Sequence, residues 1–375
     1  MSRGLGDVYK RQTYINGFAF APDDWSENGL PIIRIQDLTG NSYQMNRYAG
    51  EYNPKYEVNR GDVLISWSAS LGVYVWQGEK ALLNQHIFKV IFDKCDVDKS
   101  FYVHQVAAIL EKAASQAHGA TMKHLTKPVF DALPFYLPDL PTQQRIADTL
   151  DKVSEGIGLC RKMLGELDLM VKAKFGEMFG DPVSNEREWN VETLNDVCTE
   201  IGDGLHGTPE YDDNGEYPFI NGNNLINGAI EITPATKKVN AEIYKKHYID
   251  ISANALLLSI NGTLGKLAFY NGEKVMLGKS ACYCNFKPEI NRAFVYGVMK
   301  TEAFAGFLEK SATASTIKNV GLKAIRGYKL IMPPQALQMQ FIEFSNQVDK
   351  SKLAVKQSLE KLETLKKSLM QEYLG

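Results

Sequence analysis

The chain of 375 residues has no stretch approaching the roughly twenty consecutive apolar residues that a membrane-spanning helix needs, so no membrane partner is expected. Cysteine is scarce. Cys95, Cys160, Cys198, Cys282 and Cys284 make an odd count in a long chain, which fits reduced thiols better than a disulfide framework. An excess of charge of one sign is also missing, with 42 Lys and Arg against 44 Asp and Glu and a sequence pI near 6.3. That balance argues against a generic basic coat for nucleic acid and leaves room for a local basic face. The first residues, MSRGLGDVYKRQ, carry charges but no apolar core and no small-residue cleavage site, so they do not read as a secretion signal. A cytoplasmic location is the resulting expectation.

The motifs of catalysis are absent too. No Gly-rich phosphate loop ending in Lys and Ser or Thr occurs, no GxGxxG follows a strand, and neither a serine elbow nor an Asn-Pro-Pro-Tyr-like methyltransferase motif is present. The six histidines show no metal-ligand spacing. A zinc site from Cys282, Cys284, Cys198 and His206 is conceivable, but alternation along an apolar strand accounts for the CxC pair, and buried thiols are the favoured reading. Asp203, Glu210, Asp212 and Asp213 read as a solvated turn. The expectation is a non-catalytic binding protein with no metal and no cofactor.

What the sequence has instead is a globular composition, 44% hydrophobic and 23% charged, and an internal repeat. Gly17, Pro31 and Leu38 recur as Gly204, Pro218 and Leu225 at a spacing of 187. Ser66, Leu71 and Gly72 recur as Ser259, Leu264 and Gly265 at 193, and Gly78, Glu79 and Lys80 as Gly272, Glu273 and Lys274 at 194. Thr121, Lys123, Pro138 and Gln143 recur as Thr316, Lys318, Pro333 and Gln338 at 195. So small a drift means a duplication with a few loop insertions. LGDV at 5–8 also echoes LNDV at 194–197, with nothing before it to match Trp189, which suggests that the first copy has lost its opening residues.

Each copy begins with short apolar runs bounded by Gly, Pro, Asn and Asp, expected to be strands: PIIRIQ, DVLISW, GVYVWQ and HIFKVIF in the first, ALLLSI, KLAFY and ACYCNF in the second. One amphipathic helix is expected after each set, near 101–117 and 294–312. Then the pattern changes in kind. Ile146, Leu150, Val153, Ile157, Cys160, Leu164, Leu167 and Val171 step by four and three, and Phe341, Phe344, Val348, Val355, Leu359, Leu362 and Leu369 nearly repeat the step, interrupted by Lys352 and Lys366. Each stretch predicts a helix of about 35 residues, roughly 50 Å long. The two are expected to pair antiparallel. The fold class expected is thus α+β: two duplicated mixed α/β domains, residues 1–140 and 181–333, separated by two long antiparallel coiled-coil helices, residues 141–180 and 334–375.

With the helix start LPTQQRIADTLDKV and the linker FGEMFGDPVSNEREWNVETLNDV at 175–197, this organisation resembles the DNA specificity subunits of type I restriction-modification systems over nearly the whole chain. The resemblance implies that two target recognition domains each read one half of a split site in double-stranded DNA while the helices act as a ruler. It implies a subunit without a catalytic site, whose partners are two adenine methyltransferase subunits and endonuclease/translocase subunits. The rival reading is a coiled-coil scaffold whose heads bind protein or glycan, distinguished by the lack of a basic ridge near Lys123 and Lys318.

Residue types that read base edges or hold phosphates then mark candidate DNA contacts. In the first domain these are Ser68 and Ser70 at the Gly-turn, Gln85 and His86 at the next strand entry, and Lys123 with His124. In the second they are Asn261 and Thr263, Lys279 and Ser280, and Lys318 with Asn319. Lys123 and Lys318, a charge kept in both copies beside a changing neighbour, suit phosphate anchoring. The alternative is that turn Asn, Ser and Gly only cap their own loops. Trp67 and Trp76 read as packing residues.

Overall fold

The computed structural model describes residues 5–7, 12–42, 44–68, 70–116 and 134–374. The chain divides into two compact units, Met1–Lys162 with Val355–Gly375, and Met163–Ala354.

In the first unit a four-stranded antiparallel sheet runs in the order Thr13–Asn16, Ile87–Ile91, Val63–Ser66, Gly72–Val75. The second unit repeats this order with Cys198–Asp203, Ala281–Phe286, Ala255–Ser259 and Leu267–Phe269. Beside each sheet lies a parallel pair, Leu30–Ile33 with Ala81–Leu83 in the first and Tyr217–Ile220 with Met276–Leu277 in the second. The central strands are buried at nearly every position and largely apolar, with Ser66, Lys89, Ser259 and Asn285 the exceptions, because both of their faces are covered. Val63 and Ile65 belong to one core and Leu64 to another, while Leu256 and Leu258 face one core and Ala255 and Leu257 the other. Each such Leu or Ile side chain, fully buried, contributes roughly 1.5–3 kcal/mol.

Three local expectations need correction. The apolar run PIIRIQ is strand only to Ile33; Ile35–Leu38 is a helical turn, because the Asp37 carboxylate accepts the Arg34 N–H at 2.8 Å and closes it. The helix expected over 294–312 is two, Arg292–Met299 and Glu302–Ser311, since Thr301 starts the second by accepting the Phe304 N–H. The echo of LGDV in LNDV is not structural. Leu5–Asp7 is a strand paired with Pro134–Tyr136, whereas Leu194–Val197 is a helical turn held by a reciprocal Thr193–Asp196 cap. The equivalent of Leu5–Asp7 is the strand Asn190–Thr193, paired with Lys329–Met332.

The long helices are Leu140–Phe179 and Gln335–Leu374, 40 residues each, or about 60 Å. Pro141 lies in the first turn, where its missing N–H would have no helical partner anyway. Gly180, at φ +76°, ends the first helix in the left-handed conformation. The linker motif then explains itself. Asn185 exchanges two hydrogen bonds with the Trp189 backbone, and the Trp189 indole donates to the carbonyl of Phe179 at 2.9 Å, satisfying a helix-end acceptor.

Within each unit the segments of the two helices run antiparallel. In the first, Arg145 lies over the Tyr373 ring and Arg161 pairs with Glu363 at 2.8 Å, so rising numbers on one helix meet falling numbers on the other. In the second, Asp168 pairs with Lys352 at 2.6 Å and Phe175 packs edge-on against Phe341. The Lys352 interruption of the heptad is therefore satisfied inside the seam. No helix of the described residues is long and apolar enough to cross a membrane.

Candidate functional site

The clearest site in either unit grows from the repeated Gly-turn. Ser259 ends a buried strand, and its hydroxyl donates to the Thr263 carbonyl at 2.7 Å and accepts the Lys266 N–H at 2.8 Å, folding 260–265 back as a tight loop. Ser66 makes the first of these bonds in the first unit, donating to the Ser70 carbonyl at 2.6 Å. A second device is shared. A Cβ on Gly17 would sit 2.0 Å from the Asn84 carbonyl oxygen, and one on Gly204 2.1 Å from that of Leu277. Only glycine permits the backbone contact there. The contact brings Phe18 N–H to the Leu83 carbonyl and Leu205 N–H to that of Leu277, at 2.9 and 2.8 Å.

These two devices gather part of the second predicted set. Asn261 pairs with Asn319 through a backbone bridge and a side-chain amide contact of 3.3 Å. Lys279 is exposed on the turn whose N–H reaches the Leu205 carbonyl at 3.0 Å. Together with Asp203, His206 and Val320 they line a cleft of about 430 Å³. Thr263 and Lys318 flank it on exposed backbone, Lys318 ion-paired with Glu309. Ser280 is turned inward: its hydroxyl donates to Asn221 Oδ1 at 2.9 Å and accepts the Gly222 N–H at 3.0 Å, a structural role.

In the first unit Ser70 is exposed, Gln85 and His86 are half-buried, and Ser68 is buried at 4% exposure. Ser68 is thereby withdrawn from the surface. His86 adopts φ +71°, unusual for a side chain of its size, and packs edge-on against Trp67 with its Nδ1 buried. Trp67 stacks on Phe88 and the Trp76 indole donates to the Glu79 carbonyl at 2.7 Å, as packing residues do. Lys123 and His124 lie outside the described residues.

Sequence reasoning passed over Asp203 and His206 as members of the cleft. The two are joined, His206 Nε2 to Asp203 Oδ2, at 2.7 Å. Their position directly before and after Gly204 and Leu205 was the available signal. Cys282 lies opposite Asp203 in the sheet register. Hydrogen bonding to Cys284 and burial push the Cys198 and Cys282 thiols upward, so these cysteines are protonated core residues. Among the described residues no group of His, Cys, Asp and Glu is arranged to hold a metal.

A family model described as the type I restriction modification DNA specificity domain matches this chain twice, at residues 1–168 and 186–365. The type I restriction enzyme EcoBI specificity subunit of Escherichia coli is 21% identical, over 95% of this chain and 82% of its own length. The MjaVIII specificity subunit of Methanocaldococcus jannaschii is 25% identical over 46% of this chain and 40% of its own. Among solved structures, the S subunit of a type I system from M. genitalium superposes with a TM-score of 0.54 at 13% identity, covering 100% of this chain and 97% of that one. A chain from a study of complex assembly and conformational transition of the type I R-M system gives 0.53 at 14% identity, covering 100% and 95%. These likenesses carry the fold.

Proposed function

The chain belongs to the type I restriction-modification DNA specificity family, and from that premise we propose that each of its two domains reads one half of a bipartite site in double-stranded DNA. Residues 1–140 and 181–333 form the readers. Residues 141–180 and 334–375 form the spacer and the docking surface for two adenine methyltransferase subunits, with endonuclease/translocase subunits joining that assembly. The chain itself supplies recognition, not chemistry.

One observation carries this reading: the same strand order, Ser-anchored loop and Gly contact occur twice, while the side chains presented at the loop tips differ. A constant frame with changing tips is what two readers of unlike half-sites require. Half-sites one turn of B-DNA apart are separated by roughly 34–36 Å, a span that continuous helices of about 60 Å can control. Ser70, Gln85, His86, Lys123 and His124 in one reader, and Asn261, Thr263, Lys279, Lys318 and Asn319 in the other, are the proposed contacts. Ser68 and Ser280 shape the turns that carry them. Lys318 exchanges Glu309 for a phosphate in the complex.

Co-expression with a cognate methyltransferase subunit and single-molecule sequencing of N6-methyladenine in host DNA tests the proposal. The expected result is a split motif with two defined halves and a fixed gap, of which exchange of residues 13 to 140 changes only one. Complex formation without sequence-specific methylation overturns it and favours the scaffold.

A further inference from the structure

The duplication provides an internal control on which residues carry specificity. Asn16 and Asp203 occupy the same place, opposite Phe88 and Cys282 in the two sheets. Three residues on, beyond the shared Gly contact, stand Ala19 and His206. In the first unit the Asn16 side chain accepts from the Trp67 indole at 3.4 Å, and Trp67 has Ile260 as its counterpart. In the second unit the acceptor at this place is a carboxylate, and it holds an imidazole instead.

From this difference we infer that His206 reads a base edge in the second half-site and that Asp203 positions it. The inference rests on the reading of residues 181–333 as a DNA recognition domain. The side chain of His206 is 70% exposed at the rim of the cleft, whereas that of Asp203 is 17% exposed. A carboxylate only accepts, so Nε2 donates the proton of their 2.7 Å bond. In the neutral form of the ring, Nδ1 is then the acceptor left for a partner other than Asp203. In the major groove the matching donors are the exocyclic amino groups of adenine and cytosine. Lys279, Asn261 and Asn319 surround the same cleft and supply donors for phosphate or neighbouring base acceptors. Fixing the ring in advance lowers the entropy lost on binding, which is the purpose of a half-buried partner for an exposed reader.

The test uses the chain in complex with its cognate methyltransferase subunits. Host DNA methylation is profiled for the wild type, His206→Ala, Asp203→Ala and Asp203→Asn. His206→Ala relaxes one base pair of one half-site and leaves the other half and the gap unchanged. Asp203→Ala relaxes the same base pair, and Asp203→Asn, which keeps an acceptor oxygen, retains the motif. On an oligonucleotide carrying an analogue that lacks the amino group at the relaxed position, wild-type affinity falls roughly five- to tenfold, whereas that of His206→Ala does not fall further. An unchanged motif in His206→Ala overturns the inference. So does an equal loss for both proteins on the analogue, or loss of all methylation by a complex that still assembles. A wild-type complex without a split motif removes the premise instead, and it does so before any substitution is made.

Discussion

The turn that follows the parallel strand pair is built alike in the two domains and finished differently. In the first it runs Asn84, Gln85, His86, and two of its side-chain atoms, Asn84 Oδ1 and His86 Nδ1, are buried without a hydrogen-bond partner among the described residues. In the second it runs Gly278, Lys279, Ser280, and Ser280 is bonded to both Asn221 and Gly222. The first turn stores unsatisfied polarity and a left-handed His86; the second is internally complete and shows an exposed lysine. Duplication preserved what the backbone geometry demands. It released what only the tip chemistry uses.

The largest test of that contrast lies beneath the second domain, where Phe175, Phe179, Phe294 and Phe341 form an aromatic cluster with ring centroids 5.0–6.4 Å apart. Phe179→Ala costs about 3–5 kcal/mol and, in urea unfolding, shifts the transition of the second domain alone. Leu150, fully buried in the first unit, is the matched control, and Leu150→Ala costs about 2–5 kcal/mol there. A shift of both domains by either variant breaks their independence.

Next come the paired glycines. Gly17→Ala and Gly204→Ala each drive a methyl group into a backbone carbonyl, at an expected cost of about 3 kcal/mol. Each abolishes recognition of its own half-site only. Equal tolerance of both, read from thermal denaturation, would show that the shared contact is not a shared requirement.

The serine anchors sharpen the comparison further. Ser66→Ala removes a buried hydroxyl that donates to Ser70, costing about 1 kcal/mol, and Ser259→Ala roughly twice that, because Ser259 also accepts the Lys266 N–H. Differential scanning calorimetry of the two variants ranks them. Ser66→Ala destabilising more than Ser259→Ala contradicts the hydrogen-bond pattern.

The smallest effect is a pH dependence confined to the first unit. Burial lowers the pKa of His104, reinforced by the charge of Lys366, against the opposing hydrogen bond to the Asp151 carboxylate at 2.7 Å and the charge of Asp98. The unfolded chain therefore binds a proton more readily than the folded one. The contribution of His104 to stability is complete above its ordinary pKa of 6.5 and declines as the pH falls below it toward the depressed value. Thermal midpoints measured from pH 8 to 5 follow this slope for the first domain, and His104→Gln flattens it.

Much of the architecture is legible in the sequence. The heptad steps gave the long helices to within a few residues, because a seam buried against a partner must repeat every three or four positions. Each of the seven apolar runs holds a strand, but these are the minority of the 21 strands among the described residues, most of the others being two to four residues long. The errors fell where a single polar side chain closes a turn: Asp37 ending a strand, Thr301 dividing a helix, the Thr193–Asp196 cap overriding an echo in sequence. The candidate contacts were partly legible. Lys279, Asn261 and Asn319 come together, but Ser68 and Ser280 point to the frame, and His206 with Asp203 was absent from the set.

The sequence by itself determined the duplication, the alternation of mixed domain and long helix, and the positions that must be glycine or buried serine. Those are local demands, met by spacing and residue type. Which polar residues share a cleft was decided by the tertiary structure alone. Asp203, Asn261, Lys279 and Asn319 are separated by up to 116 positions and meet only because three strands that neighbour one another in the sheet but not in sequence, and the 318–320 segment, converge at one sheet end. Spacing along a chain carries no information about such long-range convergence; the sheet order and the Gly204 contact supply it.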